Sequence, residues 1–246
     1  MRGCLSALLL CGLAPVAYAT HPLVSDDPNT QSGGHHQIEA NTDWARQDEV
    51  HTHVGALTYS YGAQDNLDLY LNIPLTFTAP SGINDVGVGA KWRFLENETM
   101  SSALKPELQL PTGDEARSLG NGRTSARLTA IVAYDAQPWR LLGNLGLSVN
   151  RYRLQADRDT RRGIVWHASA SLWYSLSDQW KLLSDIGADS DVDKASYKHP
   201  GFVLAGVMYS PAPNLDLDAG VRFDLRCSAC SALSNRQVGV GVAARF

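Results

Sequence analysis

Strict alternation constrains this chain more than any other feature. In Leu215-Asp216-Leu217-Asp218-Ala219-Gly220-Val221-Arg222-Phe223-Asp224-Leu225 every odd residue is apolar and every even residue is polar, charged or Gly. A β-strand sends successive side chains to opposite faces, so this segment has one greasy and one wet face. Leu67, Leu69, Leu71, Ile73, Leu75 and Phe77 alternate in the same way with Asp68, Tyr70, Asn72, Pro74 and Thr76. The pattern recurs from Val86 to Phe94 and from Val238 to Phe246.

Followed along the chain, it predicts twelve strands, near 35–46, 51–61, 66–77, 83–95, 103–112, 123–134, 138–152, 163–176, 179–189, 201–210, 214–225 and 236–246. A tilted strand needs about nine to eleven residues to cross a bilayer, and these segments are that long or slightly longer. Short turns at 135–137, 177–178 and 211–213 alternate with longer polar loops at 113–122, 153–162, 190–200 and 226–235. Short periplasmic turns and longer outer loops are the habit of outer-membrane barrels. The first outer loop, 47–50, is short and departs from it.

Composition narrows the class further. A formal charge of −4 argues against a nucleic-acid binder. No late apolar run is long enough for a membrane helix, a test that says nothing about barrel strands. The aromatics separate barrel from soluble sandwich. If the first strand runs outward, Tyr59, Tyr61, Trp92, Phe94, Tyr134, Trp139, Tyr174, Trp180, Tyr209 and Phe246 fall near the periplasmic end. Trp44, Phe77, Tyr152, Trp166, Phe202 and Phe223 fall near the outer end. Rings with an apolar body and a polar tip favour the two headgroup layers. Phe202 and Tyr209 have opposite parity, so both can face lipid only across a bulge.

The expected fold is therefore all-β: an antiparallel up-and-down transmembrane β-barrel of about twelve strands, in the bacterial outer membrane. Residues 1–19 read as a secretory signal, with Arg2 as basic start, Leu5 to Leu13 as apolar core and Ala17-Tyr18-Ala19 as cleavage site. Residues 20–34 are expected to form an N-terminal periplasmic segment and 35–246 the barrel. The polar strand faces then line the lumen. The lining and binding candidates are Asp68, Lys91, Arg93, Glu107, Arg127, Arg140, Asp216, Asp218 and Arg222. Charges of both signs must pair or stay hydrated there, and Arg222 shares a face with Asp218 and Asp224.

Other chemistry-bearing residues have plainer readings. Cys227 and Cys230 form a CxxC pair with no second pair to complete a zinc site, so a loop disulfide is expected. His35, His36, His51 and His53 do not converge on one barrel end, and no metal or other cofactor is expected. His167-Ala168-Ser169 is the arrangement a serine nucleophile and its base would need on one strand. Ile164, Trp166, Ala168, Ala170 and Leu172 take the lipid side, which turns His167 and Ser169 inward. No orienting Asn stands at the matching depth on 181–189. A lipid hydrolase using His167 and Ser169 is thus an alternative, as is a structural filled barrel. The leading expectation is a channel and not an enzyme.

Three stretches carry a family resemblance. Thr20-His21-Pro22-Leu23-Val24-Ser25-Asp26-Asp27-Pro28-Asn29-Thr30-Gln31 resembles the opening of the bacterial outer-membrane family labelled "putative meta-pathway of phenol degradation". Asp85 to Phe94 resembles that family's central strand, and Tyr209 to Arg222 its late hairpin. The resemblance implies an outer-membrane barrel that passes small molecules, with aromatic or hydrophobic compounds as the solute class. The expected partners are outer-membrane lipid, a small-molecule solute and, from the terminal Phe246 on an amphipathic last strand, the barrel assembly machinery.

Overall fold

The computed structural model describes residues 21–47, 50–195, 199–225 and 235–246. The signal segment and the Cys227/Cys230 pair lie outside the described residues. The strands are β1 (His36–Gln47), β2 (Val50–Gln64), β3 (Leu67–Thr76), β4 (Gly82–Ile83), β5 (Val86–Glu96), β6 (Met100–Leu110), β7 (Ser125–Ala136), β8 (Trp139–Val149), β9 (Ile164–Ser175), β10 (Trp180–Asp189), β11 (Gly201–Ala212), β12 (Leu215–Leu225) and β13 (Asn235–Arg245). The two-residue β4 only pairs with the end of β3, so twelve long strands remain. All pairings are antiparallel, and β1 bonds to both β2 and β13, from Gln37↔Arg245 to Gln47↔Asn235. That last pairing closes the sheet and leaves no edge, as hydrocarbon requires.

The inside-outside assignment follows the alternation. Leu69 and Leu71 on β3, Leu145 on β8, Leu217 on β12 and Val240 on β13 are exposed on the outer wall. Such a continuous apolar exterior on a closed barrel is a lipid-facing surface. Its aromatic rims are built from cross-strand pairs. Trp139 sits opposite Tyr174 and Trp180 opposite Tyr209, each with ring centroids 4.4 Å apart. At the other rim His53 lies between Trp44 and Phe77. The barrel is thus an outer-membrane barrel.

Three expectations about the wall itself are corrected. Phe202 is fully buried inside the barrel, which removes the parity conflict with Tyr209; the β11 register shift lies beyond Tyr209. Tyr152 is buried in the loop after β8, where its hydroxyl donates to the Arg162 carbonyl, and so leaves the aromatic rim. Third, the inner wall is not polar throughout. Ala133, Leu142, Trp173, Leu183, Leu204 and Met208, from β7 to β11, form one buried apolar cluster with Leu23. A strand's inward residues are apolar there because something apolar is packed against them.

That something is the N-terminal segment. Residues 21–32, expected in the periplasm, run inside the barrel, with Ser25, Asp27 and Thr30 buried. The segment leaves the lumen beside the β2–β3 turn, where Gly33 N–H donates to Asp65 Oδ1 and Gly34 N–H to the Gly62 carbonyl, both at the end where β1 begins. Its opposite end needs room made by glycine. Gly206 and Gly220 are paired across β11 and β12, and a Cβ on either would lie 2.7 or 2.6 Å from Pro22 Cγ.

Candidate functional site: the lumen and its N-terminal segment

An extended segment buried in a barrel brings its own backbone donors and acceptors, and each must find a partner. The wall supplies them. Asp185 Oδ2 on β10 accepts the N–H groups of Val24 at 2.8 Å and Ser25 at 2.7 Å. Asn144 on β8 accepts from the Asp26 N–H and donates to the Asp26 carbonyl, both at 2.9 Å. Lys91 Nζ on β5 donates to the carbonyls of Asp27 and Asn29, at 3.2 and 3.1 Å. Asp68 on β3 takes the Gln31 N–H with both oxygens, at 2.9 and 3.1 Å.

Side-chain pairs add to these anchors. Asp26 pairs with Lys105 on β6. Burial works to raise the Asp26 pKa, but the charges of Lys105 and Lys91 outweigh it and hold the carboxyl below its usual value. Arg140 on β8 donates to Asn29 Oδ1 at 3.0 Å and lies over the Trp173 ring. His21 hydrogen-bonds Asp218 on β12, and its Nε2 lies 3.4 Å from Asp43 Oδ1 on β1. Burial lowers the His21 pKa, yet the hydrogen bonds and charges of Asp218 and Asp43 more than reverse this and raise it to about 9.

The predicted lining residues therefore divide. Asp68, Lys91, Arg140 and Asp218 hold the segment. Glu107, accepting from Tyr70 Oη at 3.1 Å, and Arg127, donating to Ser148 Oγ at 3.2 Å, line a cavity of about 270 Å³ between the segment and β1–β7. Arg93 stands at the β2–β3 turn, bonded to the Asp65 carbonyl at 3.0 Å and to Glu96 at 3.1 Å. Asp216 is held by Arg245 and by Ser210 Oγ. Arg222 pairs with Asp224 at 3.0 Å and lies over the Phe202 ring, whereas its other facing carboxylate, Asp218, takes His21. Arg222 and Asp224 border a second cavity, about 740 Å³, at the long-loop end.

Sequence reasoning missed His21, Ser25, Asp26, Asn29 and Asn144. The stretch 21–31 carries the family resemblance, and nothing in its spacing says that it turns inward. The readable signal was the inward Gly206 and Gly220 on neighbouring strands, which leave a slot that some other side chain must fill.

The His-x-Ser pair also differs from expectation. His167 Nε2 lies 3.0 Å from Ser169 Oγ, and its Nδ1 lies 2.7 Å from Asp189 Oδ1. The orienting group is thus present on β10, as an Asp and not an Asn, directly opposite His167 in the ladder. Among the described residues no cluster of three or more His, Cys, Asp or Glu is placed to hold a metal ion.

Comparison with known proteins accords with this architecture. The COG4313 outer membrane channel from Pseudomonas putida F1 is 14% identical, with a TM-score of 0.68 over 89% of this chain and 98% of that one. The NanC porin is 14% identical, with a TM-score of 0.65 over 85% of this chain and 100% of that one. The KdgM porin solved in complex with disordered oligogalacturonate is 11% identical, with a TM-score of 0.62 over 85% and 99%. At these identities they share the barrel fold. No curated protein matches the chain. The family described as "Putative MetA-pathway of phenol degradation" matches residues 20–246, essentially the whole barrel with its internal segment, and the chain belongs to that family.

Proposed function

We propose that this protein is an outer-membrane channel for small solutes whose lumen is closed by its own residues 21–32. The observation that carries the reading is the ownership of the wall's polar groups. Asp68, Lys91, Asn144 and Asp185 bond to the segment's backbone and not to one another. Such a wall can exchange the segment for water or solute without leaving its own groups unsatisfied. The 270 Å³ cavity beside the segment and the 740 Å³ vestibule at the long-loop end are open space along such a path.

Aromatic compounds are the solute class that the family description suggests. Lys105 over the Tyr70 ring, both on the wall of the 270 Å³ cavity, offers a cation beside an aromatic edge against which a phenolic ring could rest. Passage of solute, and not catalysis, is the main activity proposed. Purified protein in planar bilayers tests this reading. Deleting residues 21–31 should convert a quiet or low-conductance barrel into one with discrete conductance steps, and phenolics should then enter liposomes faster than sugars of similar size. A deletion variant that stays folded and electrically silent would favour a filled structural barrel.

A further inference from the structure

Ser169, His167 and Asp189 form an unbroken hydrogen-bonded series that the channel reading does not use. With Asp189 accepting from Nδ1–H, the imidazole carries its proton on Nδ1 and Nε2 is left as an acceptor. Nε2 then faces the Ser169 hydroxyl at 3.0 Å. A nucleophile within reach of a base, itself oriented by a carboxylate, is the arrangement that activates a serine. A fourth group stands beside it. Asn144 is the direct cross-strand neighbour of Ser169 on β8, and its Nδ2 already donates to a carbonyl oxygen, that of Asp26.

The series is capped. The Ser25 hydroxyl, fully buried, lies 2.8 Å from Ser169 Oγ. An attacking oxygen needs the carbonyl carbon about 3–3.5 Å away in that same space. Asp189 lines the long-loop vestibule, so the outer edge of the series faces the lumen side and not the bilayer.

We propose that Ser169, His167, Asp189 and Asn144 form a latent site that cleaves small carboxylic esters arriving through the long-loop vestibule, held inactive by Ser25 until the N-terminal segment withdraws. The withdrawal is the motion on which the channel reading also rests. Ser169 Oγ bonds to the ester carbonyl carbon while its proton passes to His167 Nε2. The Asn144 amide receives the carbonyl oxygen as it gains charge. The ester C–O bond breaks, and the alcohol leaves with the proton from His167. Water then attacks the acyl-serine by the same route and releases the acid. Asp189 acts as a positioning residue.

Reaction of the full chain with a small alkyl fluorophosphonate, with the adduct located by peptide mass, tests the site. Ser25→Gly should label at Ser169 about tenfold or more faster than wild type, as expected when an accessible state rises from a minor to a major population. Adding Ser169→Ala should abolish labelling. Adding Asp189→Asn should slow it strongly, and Asp189→Glu should restore part of the rate, a rescue that a merely structural role would not give. Hydrolysis of para-nitrophenyl acetate should follow the same order. Wild-type protein, given long exposure, is the second arm and should acquire a Ser169 adduct that His167→Ala lacks.

A folded Ser25→Gly protein without the Ser169 adduct, or labelling indifferent to Asp189→Asn, would overturn the proposal. Conductance of the same variant separates the two readings. Raised conductance without an adduct sinks the ester site and leaves the channel standing. An adduct in an electrically silent barrel supports the site and counts against the channel.

Discussion

Asn144 grips Asp26 from both sides of one residue, accepting from its N–H and donating to its carbonyl at 2.9 Å each. The carboxamide is buried, so water competes poorly for either bond. One wall side chain therefore carries two of the contacts that keep the segment in the lumen.

Asn144→Ala should release that grip. The two backbone groups lose partners in a buried setting, a cost of about 1–3 kcal/mol for each group left unsatisfied. The segment can avoid the cost by leaving. The expected result is higher open probability in planar bilayers and faster proteolysis within residues 21–32, with the barrel's heat-modifiable migration kept. Unchanged conductance and proteolysis would count against Asn144 as an anchor.

Gly220→Ala attacks the opposite anchor by volume alone. The added Cβ would fall 2.6 Å from Pro22 Cγ, closer than two carbons can pack. Pro22 must shift, and the segment's first residues should detach. A cross-link between cysteines placed at His21 and Asp43 should form readily in the parent and poorly in the Gly220→Ala protein.

The His21 anchor should weaken with alkali. Its pKa rises from 6.5 to about 9 when the ring is packed between Asp218 and Asp43. A raised folded-state value means that the charged pairing is fully present below about 6.5 and is lost as pH climbs through about 9. Hydrogen exchange of residues 21–26 should therefore accelerate beyond its ordinary base catalysis above pH of about 9, and His21→Gln should remove the extra step.

Leu71 and Asn72 are neighbours on opposite faces. Leu71 is exposed on the outer wall, while Asn72 lines the inner cavity and accepts from Thr58 Oγ1 at 3.1 Å. Leu71→Arg should cost roughly 2–4 kcal/mol, because a lipid-facing cation near the midplane is desolvated. Asn72→Arg should cost clearly less. Equal stabilities on refolding into lipid vesicles would reverse the assignment of faces.

Phe246 ends the strand that closes the ring. Its N–H and carbonyl exchange bonds with His36 at 3.0 and 2.8 Å, and its ring stacks on the His36 imidazole at 5.4 Å. Phe246→Asp should lower the amount of assembled barrel more than it destabilises what does assemble. Normal levels of heat-modifiable protein in the outer membrane would contradict this.

The strands and their faces were legible because they are local facts. Leu215 to Leu225 announces one apolar and one polar side to any reader of period two, and lipid outside with water inside is what a closed sheet does with those sides. Asp68, Lys91, Arg140 and Asp218 were placed inward by parity alone. Tertiary structure decided what they meet there. Nothing in residues 21–32 says that they fold back through the lumen, since their apolar content is slight and their partners lie on strands from tens to more than a hundred residues away. Leu142, Trp173 and Met208 read as breaks in the inner polar pattern until Leu23 is set against them. The pairing of His167 with Asp189 depends on the register of β9 against β10, and a one-residue slip would turn Asp189 to the lipid side. Alternation is written residue by residue, whereas register, closure and the course of the N-terminal segment are settled only when the whole ring forms and every buried polar group must find its partner at once.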